Sequence, residues 1–372
     1  MFERRLLKNL DWLLLAAALA LALYGLAMVY SASFTNRALT GGDALYFVKR
    51  QAAFLAAGLL GAAVLAYVDY NSLARLHRLI YLAVIAGLMA VVLRGSSAGG
   101  AARWIGAGAM RFQPSEFAKL GLVITLAALL ARRVGAVRRP ATTAVALLHI
   151  ALPAALIALQ PDLGTALVLV ALWFAMLFVA GARKLHLAAV AVAMLALFAG
   201  GWELGALRPY QKARLARFIN PSADPLGTGY HIIQSKIAVG SGRVWGKGYL
   251  HGTQSHLHFI PAQHTDFIFT IVGEELGFAG AICLLALYLF VLWRALRIMD
   301  RADDALGMLL AAGVVTALAA QVFVNIGMTV NIMPITGLPL PFFSYGGSAL
   351  VTNMMEAGLL LGIGMRRQRI RF

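Results

Sequence analysis

The sequence predicts an all-α integral membrane protein with ten transmembrane helices and a large exterior loop between spans seven and eight. Three observations carry that reading. Of 372 residues, 61% are apolar and 13% charged, with a mean hydropathy of +0.80; soluble domains run near about 45–50% apolar and about a quarter charged. The apolar residues fall in runs of about 20, the length that crosses a hydrocarbon core. The formal charge of +17, from 32 Lys and Arg against 15 Asp and Glu, sits largely between those runs. There it orients helices or meets anionic lipid, whereas in a soluble chain it would suggest nucleic acid. A soluble multidomain enzyme, a disordered chain and a disulfide-stapled module are excluded. Cys283, the only cysteine, lies inside an apolar run and can form no intrachain disulfide.

The runs place spans at roughly 11–31, 47–68, 77–93, 114–131, 142–159, 163–181, 186–205, 267–293, 306–330 and 345–365. The first lacks a small-residue cleavage site and reads as a span, not a signal peptide. The fourth opens on Pro114-Ser115-Glu116, residues suited to a first helical turn. Only Gln160-Pro161-Asp162 separates the fifth from the sixth. The proline and the charge turn what looks like one long helix into two spans joined at the interface. No repeat or low-complexity linker divides the chain, so residues 1–372 form one membrane domain.

Eighteen of the 32 basic residues fall on one face: Arg4, Arg5 and Lys8; Arg75 and Arg78; Arg132, Arg133, Arg138 and Arg139; Arg183 and Lys184; Arg294, Arg297 and Arg301; and the Arg366–Arg371 tail. The opposite loops 160–162 and 331–344 have none. The positive-inside rule then puts both termini in the cytoplasm. The long stretch 206–265 escapes that rule. It carries Arg208, Lys212, Arg214, Arg217, Lys236, Arg243 and Lys247 against one acid, Asp224. Such a loop either lies on anionic headgroups or funnels a phosphate-bearing substrate to the outer face.

An ionisable side chain at membrane depth costs several kcal/mol unless paired or hydrated, so each is a functional candidate. Asp266 stands where the exterior loop enters span eight, at the mouth of a basic, polar segment. It suits either a helix cap or a shielded carboxylate acting as general base. Glu116 and Lys119 share a helical face at i,i+3, which fits a structural ion pair, with Lys119 free to face substrate as well. Asp162 is placed to cap span six through the amides around Gly164 and Thr165. Glu274 and Glu275 are adjacent, point to different faces and make no paired-carboxylate site. Glu356, mid-span, calls for a polar partner inside the bundle.

His251, His256, His258 and His264 crowd the loop but match no zinc spacing. Gly240-Ser241-Gly242 and Gly246-Lys247-Gly248 are only loose phosphate cradles, since neither follows a strand. Leu338-Pro339-Leu340-Pro341 through Ser348 reads as rigid non-helical backbone of the kind that lines a cavity.

Several motifs together resemble the SEDS family (shape, elongation, division, sporulation) of bacterial peptidoglycan polymerases. They are Arg103-Trp104, Arg111-Phe112-Gln113-Pro114-Ser115-Glu116 with Lys119, Gln160-Pro161-Asp162-Leu163-Gly164-Thr165, and Gly229-Tyr230-His231-Ile232-Ile233-Gln234-Ser235. His264-Thr265-Asp266-Phe267-Ile268-Phe269 with Glu274-Glu275-Leu276-Gly277, and Ser344-Tyr345-Gly346-Gly347-Ser348, complete the set. Gly246-Lys247-Gly248 followed by His251-Gly252-Thr253-Gln254-Ser255 is similar to the rod-shape branch more than to the division branch. Spans one and two match weakly, Arg243-Val244-Trp245 replaces a more glycine- and leucine-rich stretch, and Ala262 stands where a glutamate is expected.

The resemblance implies polymerisation of lipid II, the undecaprenyl-pyrophosphate-linked disaccharide-pentapeptide, during cell elongation. Asp266 matches the family's essential aspartate, with Glu116 and Lys119 beside it as catalytic candidates. Substrate-binding candidates are Arg103, Trp104, Gln113, Asp162, Arg208, Arg214, Lys247, His264, Thr265, Ser344, Gly346, Gly347 and Ser348. An α-linked donor giving a β-1,4 product implies inversion by a single displacement, for which one base suffices. A divalent cation, Mg or Mn, could share the pyrophosphate charge, although no ligand motif marks a site. The resemblance also implies a class B penicillin-binding protein as partner, with a helix packing on spans eight and nine, and other elongation-complex proteins. Two rival readings are a lipid II flippase, with polar residues leading to the other side, and a non-catalytic scaffold for the transpeptidase.

Overall fold

A computed structural model describes residues 9–35, 41–98, 101–106, 111–205, 212, 214, 216, 218–219, 228–256, 259–260 and 262–366. The chain forms α1 (Trp12–Ser33), α2 (Tyr46–Tyr67), the short α3 (Tyr70–Arg75), α4 (His77–Arg94), α5 (Pro114–Ala131), α6 (Pro140–Leu159), α7 (Leu163–Val179) and α8 (Lys184–Glu203). Then come α9 (Thr228–Ser241), the single turn α10 (Thr253–His256), α11 (Ile268–Glu275), α12 (Gly277–Asp300), α13 (Ala305–Thr329) and α14 (Gly347–Arg366). Among the described residues nine helices are long and apolar enough to cross a membrane, and α7, at 17 residues, is a tenth apolar helix. Nine of these ten match the spans read from hydropathy to within two residues, as expected where membrane thickness sets helix length, and the exception is span eight.

Helix α5 is the hub. Fifteen of its residues are buried, and it packs on α4, α13, α7 and α14. The most extensive contact joins α14 to α2, through small residues. A Cβ on Gly358 would lie 2.2 Å from the Ala62 carbonyl oxygen, so only glycine permits this approach. Lipid tails are as apolar as leucine, and close van der Waals packing of this kind replaces the hydrophobic drive that water would supply. At the other extreme, α8 buries Leu187 alone and touches little but α7.

Two features depart from the sequence reading. Ser96–Ala98 (β1) pairs antiparallel with Ala101–Trp104 (β2), the strand that carries Arg103 and Trp104. Span eight, expected unbroken over 267–293, is interrupted at Leu276, between α11 and α12. Gly277 there adopts φ +64°, and the loop at 243–248 closes over the break. The Lys247 and Gly248 amides donate to the Glu274 and Glu275 carbonyls (3.0 and 2.9 Å), while Phe278 and Ala279 donate to Arg243 and Val244 (2.9 and 3.0 Å). Broken helices persist at membrane depth only where other protein groups take up the freed backbone bonds, as here.

The stretch between spans seven and eight is therefore not all loop. Helix α9 lies across α11 and α13, and the Ser235 hydroxyl donates to the Thr329 carbonyl at 2.7 Å. Glu274 and Glu275 fasten this layer from below. The Glu274 carboxylate accepts from Lys247 Nζ (2.7 Å), Thr253 Oγ1 (3.1 Å) and the Gln254 amide (2.9 Å). Glu275 accepts from Ser31 Oγ (2.6 Å) and the Leu250 amide (3.2 Å).

Candidate active site

A cavity of about 430 Å3 opens at one end of the bundle. Arg103, Trp104, Gln113, Arg214, Thr265, Asp266, Gly337, Tyr345 and Gly346 are among its walls. The wall residues, Arg103, Trp104, Gln113, Arg214, those within 262–266 and those within 335–349, lie on the side opposite the Lys/Arg-rich loops when the spans are counted in order.

Asp266 sits in the turn just before α11, and its backbone is clamped. Three consecutive carbonyls accept hydrogen bonds: His264 from the Tyr345 amide (3.0 Å), Thr265 from Ser344 Oγ (2.6 Å), and Asp266 from Asn325 Nδ2 (2.9 Å). Asn325 also donates to the Leu338 carbonyl at 2.7 Å. One buried amide on α13 thereby ties the Asp266 turn to the proline-rich segment. Ala262 opens the turn with φ +52° and accepts from the Asp266 amide at 3.1 Å. The residue standing where the family pattern has an acid thus acts through its backbone.

Gly337 separates the two charges of the site. A Cβ there would lie 3.3 Å from Asp266 Oδ2 and 3.5 Å from Arg103 Nη1, on a backbone with φ +74°. Burial pushes the Asp266 carboxyl up from the ordinary range to about 6, and the Asp162 charge adds to the rise. The Arg103 guanidinium and the Thr265 hydroxyl act in the opposite direction. A carboxylate poised near neutral pH suits proton abstraction.

Arg103 is held from behind. Its guanidinium donates to the carbonyls of Gln160 and Pro161 and faces Asp162 Oδ1 at 3.8 Å. Asp162 itself is buried. It caps α7 through the Thr165 amide (3.3 Å) and hydroxyl (2.8 Å), and accepts from Ser115 Oγ at 3.3 Å. The capping role read from sequence holds, but the cavity wall does not include Asp162, so it positions Arg103 from below.

Other candidates also move off the wall. Glu116 and Lys119 are sealed inside the bundle. Lys119 Nζ donates to Glu116 Oε2 (2.9 Å) and to Gln321 Oε1 of α13 (2.7 Å), and both charged side chains are 1% exposed or less. The ion-pair reading stands; a face of Lys119 turned to substrate does not. Lys247, expected to meet a diphosphate, is taken up by Glu274 and Thr253 instead. Ser344 is buried, clamping Thr265. Ser348 accepts from the Gln113 amide at 2.9 Å. Gly347 makes room for the Phe54 ring, 2.7 Å from where a Cβ would stand. His264 packs in a tilted arrangement against Phe47, with ring centroids 4.7 Å apart. Glu356, for which a polar partner was expected, has neither carboxylate oxygen hydrogen-bonded among the described residues. Arg208 lies outside those residues.

Not foreseen from the sequence were Asn325 and Gln51, which hold the cavity's backbone, and Gln321, which closes off the buried Glu116–Lys119 pair. Gln51 accepts from the Gly346 amide (3.3 Å) and donates to the Ser344 carbonyl (2.9 Å). Uncharged amides within apolar spans were the available signal. Among the described residues no group of three His, Cys, Asp or Glu side chains gathers to hold a metal. Among the described residues the cavity wall offers one carboxylate, Asp266, beside two guanidinium groups, a poor ligand set for Mg or Mn, which take several oxygens.

Comparison with known proteins places this geometry in context. The family model described as cell cycle protein, covering FtsW, RodA and SpoVE, matches residues 11–369. The peptidoglycan glycosyltransferase MrdB of Escherichia coli K12 is 40% identical over 362 residues, 97% of this chain and 95% of that protein. A subunit solved within a peptidoglycan synthase complex that coordinates polymerization and crosslinking superposes with a TM-score of 0.79 at 32% identity, over 95% of this chain and 97% of that one. The rod shape determining protein RodA of Thermus thermophilus superposes with a TM-score of 0.71 at 30% identity, over 97% and 98%. With ten apolar helices in the same arrangement and similarity along nearly its whole length, this chain belongs to the FtsW/RodA/SpoVE family, the SEDS proteins that its motifs resemble.

Proposed function

We propose that this multi-pass membrane protein is a peptidoglycan glycosyltransferase of the rod-shape type, polymerising lipid II on the outer face of the cytoplasmic membrane. The observation that carries the reading is the convergence of one carboxylate, Asp266, and two guanidinium groups, Arg103 and Arg214, on a single cavity. That cavity lies on the face opposite the positive loops, which by the positive-inside rule is the exterior, with both termini cytoplasmic.

A sugar hydroxyl is a poor nucleophile until its proton is removed. Asp266 takes the proton of the acceptor GlcNAc 4-hydroxyl, and the oxygen attacks the anomeric carbon of the α-linked donor. The anomeric carbon–phosphate oxygen bond breaks as the new β-1,4 bond forms. Its electron pair leaves with the lipid diphosphate, whose charge Arg103 and Arg214 stabilise. No covalent enzyme intermediate is required. The clamp on residues 264–266 holds the base in place, the preorganisation on which such catalysis depends.

A class B penicillin-binding protein is the expected partner, consistent with the synthase complex among the structural relatives. The exposed Phe278, Ile282 and Leu289 of α12 and Phe323 of α13 give its membrane helix an apolar surface. The test is purified protein with lipid II in detergent, with and without the partner. Glycan strands from the wild type, and none from Asp266→Ala at unchanged melting temperature, support the reading. Lipid movement without strands would favour a flippase. Growth rescue by the Asp266→Ala form would favour a scaffold.

A further inference from the structure

A second cavity, about 490 Å3, lies at the other end of the bundle, on the positive face between α4, α5 and α6. Its lining includes His77 and Arg78 from the start of α4, Arg132 and Arg133 just past the end of α5, and His149 from within α6; among the described residues no acidic side chain lines it. Tyr81 and Leu82 continue the wall one turn into the membrane. His149 forms the floor, its Nε2 2.9 Å from the Thr125 hydroxyl, while Tyr81 donates to the His149 carbonyl at 2.9 Å. Arg132 Nη1 stands 3.3 Å from His77 Nε2. Arg133 Nη1 is buried with no hydrogen-bond partner among the described residues.

The positive-inside rule accounts for arginines on this face but not for a cavity that gathers three of them. A guanidinium nitrogen withdrawn from water without an acceptor is costly, and a bound anion would supply the missing oxygen. The walls grade from cationic at the membrane boundary to Tyr81, Leu82 and Leu129 at depth. That gradient matches a phosphodiester headgroup with the beginning of its acyl chains. We propose that this cavity binds one anionic phospholipid of the inner leaflet, its phosphate among Arg78, Arg132 and Arg133 and its glycerol against Tyr81 and Leu82. Helix α5 runs from Gln113 at the catalytic cavity to this site; its 18 residues span about 27 Å. The lipid therefore braces the far end of the helix that leads from the reacting face.

Native mass spectrometry of the full chain, titrated with phosphatidylglycerol and with phosphatidylethanolamine, tests the site. Wild type is expected to retain one phosphatidylglycerol in preference to phosphatidylethanolamine. Arg78→Gln with Arg133→Gln should weaken retention about thirtyfold, given the attraction of two basic side chains at an anionic surface. Arg138→Gln with Arg139→Gln removes equal charge from the same loop outside the cavity, and should leave retention unchanged. Leu82→Trp, which narrows the mouth with no charge lost, should also weaken binding and serves if the arginine pair fails to fold. Equal losses in both arginine pairs would reduce the effect to general surface charge and overturn the proposal. Binding of glycerol 3-phosphate as tight as that of the lipid would overturn it in favour of a soluble phosphate.

Discussion

Asp266 and the Glu116–Lys119 pair are both charges at membrane depth, and the fold treats them in opposite ways. Asp266 stands on a cavity wall, its backbone carbonyl held by Asn325 and its carboxyl facing Arg103 across Gly337. The pair is buried in the bundle, neutralised within itself and closed off by Gln321. The same cost of burial yields a carboxylate open to a cavity in one place and a structural joint in the other. What separates them is whether the neighbouring backbone leaves room for a substrate.

The largest expected effect is on the reactive side of that comparison. Asp266→Asn keeps the shape and loses the base, so strand synthesis should fall by about 10²–10⁴ while the protein folds as before. Near-normal synthesis by this variant would remove Asp266 from the chemistry. On the structural side, Lys119→Met strands a buried carboxylate and should cost about 3–5 kcal/mol of stability. Glu116→Gln combined with Lys119→Met removes both charges and should recover most of that loss. Thermal melts of the single and double variants decide it; a double variant stable but inactive would return the pair to the chemistry.

The fold was legible because bilayer thickness sets helix length, and nine of the ten spans emerge from hydropathy with small errors at their ends, the exception being span eight. The break at Leu276 was not legible. It depends on loop 243–248 reaching back to bond with the α11–α12 junction, a contact between segments that hydropathy treats separately. Asp266 could be singled out by its position at a basic mouth. Which cations meet it could not, because Arg103, Lys119 and Lys247 differ only in what surrounds them after folding. Asp162 and Glu274 decide two of those cases by holding Arg103 at the wall and Lys247 away from it.

A smaller effect follows from the raised Asp266 carboxyl. Its unfolded value is near 3.8 and its folded value about 6, so between these the native state binds the extra proton. The penalty of ionising it in place is absent below about pH 4 and complete above about pH 6, reaching at most about 3 kcal/mol. Stability of the wild type relative to Asp266→Asn should therefore fall as pH rises through this window, while strand synthesis rises. Melting curves of both proteins at pH 4, 5, 6 and 7 measure the first trend, and the initial rate of lipid II consumption measures the second. Parallel melting curves across the series would show that Asp266 keeps its ordinary acidity.

The smallest effect separates Lys247 from Arg103. Lys247 is about a quarter exposed and paired with Glu274, which keeps Thr253 and the Gln254 amide as donors if the lysine is lost. Lys247→Met should then cost about 1 kcal/mol, in the range of partly exposed ion pairs, and leave strand synthesis within about threefold of wild type. Arg103→Met removes a group from the cavity wall and unpairs Asp162, so both rate and stability should suffer more. If Lys247→Met instead lost tenfold or more in rate with an unchanged melting temperature, the lysine would have to leave Glu274 and meet the diphosphate during turnover. The loop stapled over the broken helix would then be a moving part of the site and not its fixed rim.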